Sequence, residues 1–172
     1  MVAVIRSLAP DEVERHLDDL AEVLSDCVAG GAGVNFLLPF PPSEALKWWQ
    51  AVMPAVRSGE RIVLVALDGA QVVGTVQLMP APQPNQPHRA DISKMLVHSR
   101  ARRQGLGEAL MRAAEVEALA RGRTLLTLDT VSDSAAERLY ARLGWHSAGR
   151  IPGYALNPLG GPDSATFMWK AL

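Results

Sequence analysis

DISKMLVHSRARRQGLGEALMRAAEVEALAR, residues Asp91 to Arg121, is the part of the chain from which the architecture can be read. Ile92 to His98 is short, apolar-rich and bounded by polar residues, the pattern of a buried strand. Leu106, Ala109, Leu110, Ala113, Val116 and Leu119 recur at helical spacing, with Glu108 and Arg112 placed at i,i+4 on the outer face. Between strand and helix lies Arg100-Ala101-Arg102-Arg103-Gln104-Gly105-Leu106-Gly107. Glycine lets backbone approach a ligand closely, and a helix N-terminus presents unpaired N–H groups with partial positive charge. A strand, a basic glycine-containing turn and a helix start together predict a phosphate or pyrophosphate site.

The kind of phosphate ligand follows by comparison of motifs. A Walker A loop ends in Gly-Lys-Ser/Thr, and nothing of that form follows Gly107. A dinucleotide fingerprint requires a third glycine where Leu110 stands, although Asp129 falls at a suitable distance downstream. Arg102-Arg103-Gln104-Gly105-Leu106-Gly107 instead resembles motif A of the GNAT superfamily of N-acetyltransferases, R/Q-x-x-G-x-G/A. The resemblance implies that these backbone amides hold the pyrophosphate of coenzyme A, with acetyl-CoA as cosubstrate.

A chain of 172 residues is long enough for one well-filled domain, expected to span residues 1–172. Its formal net charge of −1, without a long run of one sign, argues against a nucleic-acid partner. The single cysteine, Cys27, excludes an intramolecular disulfide framework, and the histidines lack zinc-ligand spacing, so no catalytic metal is expected. The apolar stretch at Met1–Ile5 is too short for a signal peptide, and no run approaches a membrane span; a cytoplasmic protein without membrane contact is expected.

Val2 to Arg6 reads as a strand, and Pro10-Asp11-Glu12 opens a helix with Val13, Leu17, Leu20, Ala21, Leu24 and Val28 inward, ended at Gly30-Gly31. The loop from Gly30 to Pro42 carries Val34, Phe36, Leu37, Leu38 and Phe40 and either packs down or lines a pocket; Asn35 and Phe36 are its candidate substrate contacts. Ser43 is the expected N-cap of a second helix, with Trp49 and its neighbour as core anchors and a kink or stop at Pro54. Arg61–Leu67 and Gln71–Met79 form a predicted hairpin around Asp68-Gly69. Thr124–Asp129 predicts a buried strand, Asp133–Leu143 a helix, and Trp145–Ile151 and Ala165–Lys170 the last strands, separated by a Gly/Pro-rich segment from Pro152 to Pro162.

The predicted order, β-α-α-β-β-β-α-β-α-β-β, is similar to that of the GNAT fold. That resemblance implies an α/β (α+β) architecture: a mixed sheet of about seven strands, helices on both faces, splayed between two parallel central strands. Asn85–Arg89, Leu126–Thr130 and Ile151–Tyr154 further resemble small GNAT enzymes related to tabtoxin-resistance acetyltransferase, which modify small amine-bearing molecules.

Acetyl transfer from a thioester to an amine needs a group to take the ammonium proton, a donor for the developing oxyanion, and a proton or hydrogen bond for the leaving thiolate. A neutral tyrosine serves the last need. The resemblance assigns it to Tyr140 in the Leu139-Tyr140 pair, and the only other tyrosine is Tyr154. Asp129 and Asp91, at opposite ends of neighbouring predicted strands, are both candidates for the base or for holding the ammonium. His88, Arg89 and Lys94 are candidate partners for an acceptor carboxylate or else a solvated face, and Tyr154 is a further substrate candidate. By resemblance, Met95, Leu96 and Val97 pair with pantetheine through backbone, Leu96 N–H serves the oxyanion, and Ser134 contacts the cofactor. Asp133 stands where the family commonly has Asn; an acid there caps a helix but repels phosphate.

The leading reading is direct acetyl transfer to a small-molecule amine in a ternary complex; Cys27 has no base at helical spacing, which disfavours an acyl-cysteine route. The alternatives are a non-catalytic acyl-CoA sensor and a nucleotide-dependent oxidoreductase. A homodimer through the terminal strands, with Ala165–Lys170 and Trp145 as contacts, is compatible with the sequence.

Overall fold

Seven strands hydrogen-bond into one sheet, and a computed structural model places residues 3–172 of the chain on and around it; Val2, at the head of the first predicted strand, lies outside the described residues. In chain order the elements are β1 (Val4–Ser7), α1 (Pro10–Arg15), α2 (Leu17–Ala29), α3 (Pro42–Ser58), β2 (Ile62–Asp68), β3 (Gln71–Pro80), β4 (Arg89–Val97), α4 (Leu106–Ala120), β5 (Leu125–Val131), α5 (Ala135–Arg142), β6 (His146–Leu156) and β7 (Pro162–Ala171). The sheet order is β1-β2-β3-β4-β5-β7-β6. Every pairing is antiparallel except β4 with β5, which run parallel for only three pairs, from Arg89↔Leu125 to Asp91↔Thr127. Beyond Asp91 the two strands part, and the sheet opens into a cleft.

Two apolar layers clamp the sheet. On one face α4 and α5 bury Leu110, Met111, Tyr140 and Leu143 against Leu64, Leu78, Ile92 and Leu126. On the other, α1, α2 and α3 bury Val13, Leu20, Leu24 and Trp49 against Val63, Val65 and Leu96. Strands β2 and β3 are therefore covered on both sides, which explains why consecutive residues along them are buried, Thr75 and Gln77 included.

A bulge in β4 shapes the cleft. Lys94 has a left-handed φ of 50°, and the β3–β4 register shifts opposite it, between Thr75 and Gln77. Upstream of the bulge Ala90 and Ile92 face the α4 layer; downstream Leu96 faces the α2–α3 layer. One extra residue thus moves the following side chains to the opposite face.

Several boundaries differ from expectation. The first helix breaks at His16 (φ −105°), because Asp18 and Asp19 supply the acidic first turn of a new helix, and Asp19 also accepts the Val72 N–H at 3.1 Å. Helix α3 starts at Pro42 with Pro41 as N-cap, rather than at Ser43, since a first-turn proline sacrifices no hydrogen bond. It runs through Pro54 without stopping; Gln50, whose carbonyl loses its partner there, is solvent-exposed. On α4 the inward stripe is Leu106, Leu110, Met111, Ala114 and Ala118, whereas Val116 and Leu119 are 69% and 49% exposed. Helix α5 is capped by Ser134, which accepts the Glu137 N–H at 3.1 Å, and not by Asp133. Strand β6 continues through Pro152 to Leu156, tolerated because it is an edge strand, and the connection shrinks to a turn pinned by Asn157 Oδ1, which accepts from Leu159 N and Gly161 N. Trp145 is buried and donates to Glu115 at 3.2 Å, so it is not available to a second copy of the chain.

Candidate active site

The cleft contains two adjoining hollows that share Gly31, Ala32, Met95, Leu96, Ser134 and Ala136. The larger, about 560 Å³, lies over the start of α4 and runs along β4 from Met95 to Val97. The smaller, about 230 Å³, sits where β4 and β5 part and is lined by Lys94, Asp129 and Tyr140.

At the α4 end, a turn of 3-10 helix (Ser99–Ala101) leads to Arg103 in a left-handed conformation (φ 61°) and then Gly105 (φ 77°), the N-cap. A Cβ at Gly105 would meet nothing, so the left-handed backbone alone calls for glycine there. At Gly107 the reason is different: a Cβ would stand 3.1 Å from Leu139 Cδ2 and 3.6 Å from Met95 Sδ, so glycine lets α4, α5 and β4 close together at the floor of the cleft. The N–H groups of the first turn of α4 have no partners within the helix and point into a hollow lined by Arg102, Arg103, Gly105, Leu106 and Gly107. That geometry suits a pyrophosphate. Gln104 is exposed and does not line this hollow.

The arginines are not equivalent. Arg102 is tied down although its side chain is still partly exposed: its Nε donates to Val97 O at 3.0 Å and its Nη2 stands 3.9 Å from Asp26. Arg100 lies 3.9 Å from Glu22. Burial alone would push the Asp26 carboxyl up, but the Ser99 N–H and hydroxyl and the charges of His98 and Arg102 outweigh it and hold it below its ordinary value. Arg102 and Asp26 therefore brace the turn that follows β4 against α2, and Arg103 is left as the hollow-lining guanidinium without an ion-pair partner among the described residues. Met95, Leu96 and Val97 all line the hollow, on the edge of β4 that β5 has left. Cys27 lines it too, but burial raises its thiol and Sγ–H is directed at Val97 O, 3.4 Å away, an environment for an inert thiol.

In the smaller hollow Asp129, Tyr140, Lys94, Ser93, Thr130 and Ser134 converge. Tyr140 is only 5% exposed and leans on Trp145 at 6.1 Å between ring centroids. Burial, with a further contribution from the Asp129 charge, lifts its hydroxyl well above the usual tyrosine range, so it stays protonated. Neither the Tyr140 hydroxyl nor the Asp129 carboxylate bonds to another side chain or to backbone among the described residues. Lys94, 8% exposed, is brought in by the β4 bulge, and burial together with the Arg61 charge lowers its ammonium to about 8 against a partial offset from Asp129. Ser134 already accepts from Glu137 N as the α5 cap while lining both hollows.

The remaining candidates lie apart from this convergence. Asp91 and Arg89 pair at 2.5 Å, Arg89 Nη1 also donates to Thr127 Oγ1 at 2.9 Å, and Thr127 donates to Asp91, which fastens the short parallel ladder below the cleft. Asn35 is exposed with φ 78°, in the loop but outside the hollow. Phe36 is half-buried, stacks on Phe40 at 4.3 Å and meets Trp48 edge-on at 5.7 Å, next to Lys94. Tyr154 is 48% exposed on β6, edge-on to Phe167 at 5.2 Å. Asp133 pairs with Arg150 at 2.8 Å. In the sequence Trp48 reads as a core anchor, and nothing there brings Arg61 and Gln77 beside it and Lys94; a glutamine within a strand and an arginine at a strand start are the only signals.

Comparison with known proteins agrees with this geometry. The profile of the acetyltransferase (GNAT) family matches residues 17–145. An uncharacterised N-acetyltransferase from the hisH-hisA intergenic region of Azospirillum brasilense is 33% identical over 142 residues, covering 79% of this chain and 82% of that protein. Among solved structures, ribosomal-protein-alanine N-acetyltransferase from Brucella melitensis superposes with a TM-score of 0.77 at 24% identity over 98% of this chain and 99% of its own. A phosphinothricin acetyltransferase from Sinorhizobium meliloti, in complex with acetyl-CoA, gives 0.78 at 21% identity over 100% and 89%. With a family profile covering most of the chain and a split seven-stranded sheet of the matching architecture, the chain belongs to the GNAT family of acetyltransferases.

Proposed function

We propose that this acetyltransferase, acting as one domain, moves the acetyl group of acetyl-CoA to the primary amine of a small molecule by direct attack in the cleft between β4 and β5. The observation that carries the reading is the meeting of Asp129 and Tyr140, both without side-chain partners, in one small hollow beside a phosphate-type helix start. Acetyl-CoA supplies the activated acetyl thioester. The first-turn amides of α4 and Arg103 suit its pyrophosphate, and the free edge of β4 at Met95–Val97 suits the pantetheine arm.

In this proposal the Asp129 carboxylate accepts a proton from the acceptor ammonium, directly or through a water, and so frees the attacking lone pair. Tyr140 donates its hydroxyl hydrogen to the departing sulfur as the C–S bond breaks, and the second proton shed by the attacking nitrogen restores the hydroxyl through solvent; its raised pKa keeps that hydrogen in place across the working pH range. Asp91 has the separate task of holding Arg89 and Thr127 at the β4–β5 junction. The hollow of about 230 Å³, walled by the 31–34 loop, favours a small acceptor over a folded protein surface. An antibiotic or amino-acid derivative, including a tabtoxin-like compound, is within that class. A cytoplasmic location and pairing through the exposed edge strand β6 belong to the same proposal; the lone buried thiol and the exposed Ile151 and Tyr154 support them.

The test is release of the coenzyme A thiol in the presence of a panel of primary amines. Turnover of at least one amine by the wild type, with loss in Asp129→Asn, supports the proposal; tight acetyl-CoA binding with no amine-dependent release would sink it.

A further inference from the structure

Lys94, Arg61 and Gln77 form a group rich in donors, with the Gln77 amide oxygen as its one internal acceptor. Lys94 is 8% exposed and its Nζ lies 5.3 Å from the Trp48 ring centroid and 5.5 Å from that of Phe36. The Arg61 guanidinium stands 5.6 Å from the same Trp48 ring. Neither cation is in ion-pair contact with a carboxylate among the described residues, and the carboxylate that acts on Lys94 across the hollow is Asp129. Gln77 is fully buried; its amide oxygen accepts from Arg61, while its amide nitrogen and Arg61 Nε are buried with no partner.

Such a cluster is costly as a purely structural device. Two like charges are held together in a desolvated place, and the aromatic faces compensate them only in part. Buried amide and guanidinium hydrogens are normally satisfied, so each unpartnered one calls for a reason. The hollow lined by Lys94 contains a single carboxylate, Asp129. It therefore presents one positive and one negative group to whatever enters it.

We propose that Lys94, supported by Arg61 and Gln77 and walled by Trp48 and Phe36, is an anion subsite that selects acceptors carrying a carboxylate beside the amine: amino acids and their close analogues. The acceptor ammonium faces Asp129 and its carboxylate faces Lys94. This inference rests on the reading of the hollow as the acceptor site. Lys94 acts here as a specificity-determining residue, with no part in the proton transfers assigned to Asp129 and Tyr140.

The experiment measures thermal stabilisation in the presence of saturating coenzyme A, which permits no transfer. The proteinogenic amino acids, β-alanine and γ-aminobutyrate are each compared with their carboxamides, which keep the amine and lose the anion. The expected result is stabilisation by at least one amino acid and roughly tenfold or more weaker binding of its carboxamide, as for loss of a hydrogen bond to a charged group. In Lys94→Gln the preference for acid over amide disappears while the shift from coenzyme A itself is unchanged; Lys94→Arg restores part of the preference. Arg61→Gln gives a second, independent reduction should Lys94→Gln fold poorly. Stabilisation by coenzyme A but by no amino acid in the panel, equal binding of acids and amides, or an acid preference that survives both Lys94→Gln and Arg61→Gln overturns the subsite alone. Absence of any shift with coenzyme A or acetyl-CoA overturns the acetyl-transfer reading and this one with it.

Discussion

Tyr140 and Lys94 show how burial shifts two side chains of one hollow in opposite directions. Burial lifts the tyrosine and lowers the lysine, because each is driven toward its uncharged form. Tyr140→Phe keeps the ring packed on Trp145 and removes only the donor, so kcat is expected to fall by about 10²–10⁴, the range of general acid–base contributions, with acetyl-CoA binding retained. Lys94 carries a stability consequence whose sign is definite. Its folded pKa, about 8, lies below the ordinary 10.5, so the charged form is disfavoured on folding. Below pH 8 both states are charged and the full cost is present; between about 8 and 10.5 the unfolded chain binds more protons and stability rises with pH. Lys94→Met is expected to gain up to about 3 kcal/mol at pH 7, an advantage that vanishes by pH ~10.5. Chemical denaturation of both proteins across that window checks it. The sequence named Tyr140, Asp129 and Lys94 and leaned toward Asp129 over Asp91 from its place at a strand end; that Arg89 and Thr127 occupy Asp91 is a cross-strand fact that no local pattern contains.

At the level of elements, the start of α4 does the most with the fewest residues. Gly105 needs its left-handed backbone and has open space around it, so Gly105→Ala should cost about 1–2 kcal/mol of stability by strain alone. Because that strain moves the first-turn amides, KM for acetyl-CoA should rise as well, and steady-state kinetics beside thermal melts measures both. Ser134→Ala removes the α5 cap and should cost about 1 kcal/mol, while also disturbing the wall shared by the two hollows. The glycine turn was readable because its residues leave a local signature. The β4 bulge was not: Ala90, Ile92, Lys94 and Leu96 alternate as a regular strand would, yet Ile92 and Leu96 face opposite layers. The exchange of faces at Lys94 depends on the register against β3, which no local pattern contains. The same limit explains α4, where a stripe through Val116 and Leu119 fits helical spacing as well as the true one through Met111, Ala114 and Ala118. Small residues there let the helix sit close to the sheet.

For the whole molecule, the useful fact is that the central parallel ladder is only three pairs long. A sheet held on both faces by apolar layers can afford to separate its middle strands above that point, and the separation exposes β4 backbone beside two loops and a helix start. Element order was legible from periodicity and turn residues, and the fold was anticipated from the resemblance of that order and of the glycine turn to the GNAT arrangement; the cleft's residues could be named in part but not how they meet, since they come from five separated segments. The central claim is that Asp129 and Tyr140 in that cleft carry out acetyl transfer to an amine. Its most direct test is the single-turnover rate of thiol release from acetyl-CoA with an accepted amine, compared between wild type and Tyr140→Phe under saturating cofactor. The account predicts a drop of about 100-fold or more with undiminished acetyl-CoA binding. An unchanged rate in Tyr140→Phe would contradict it.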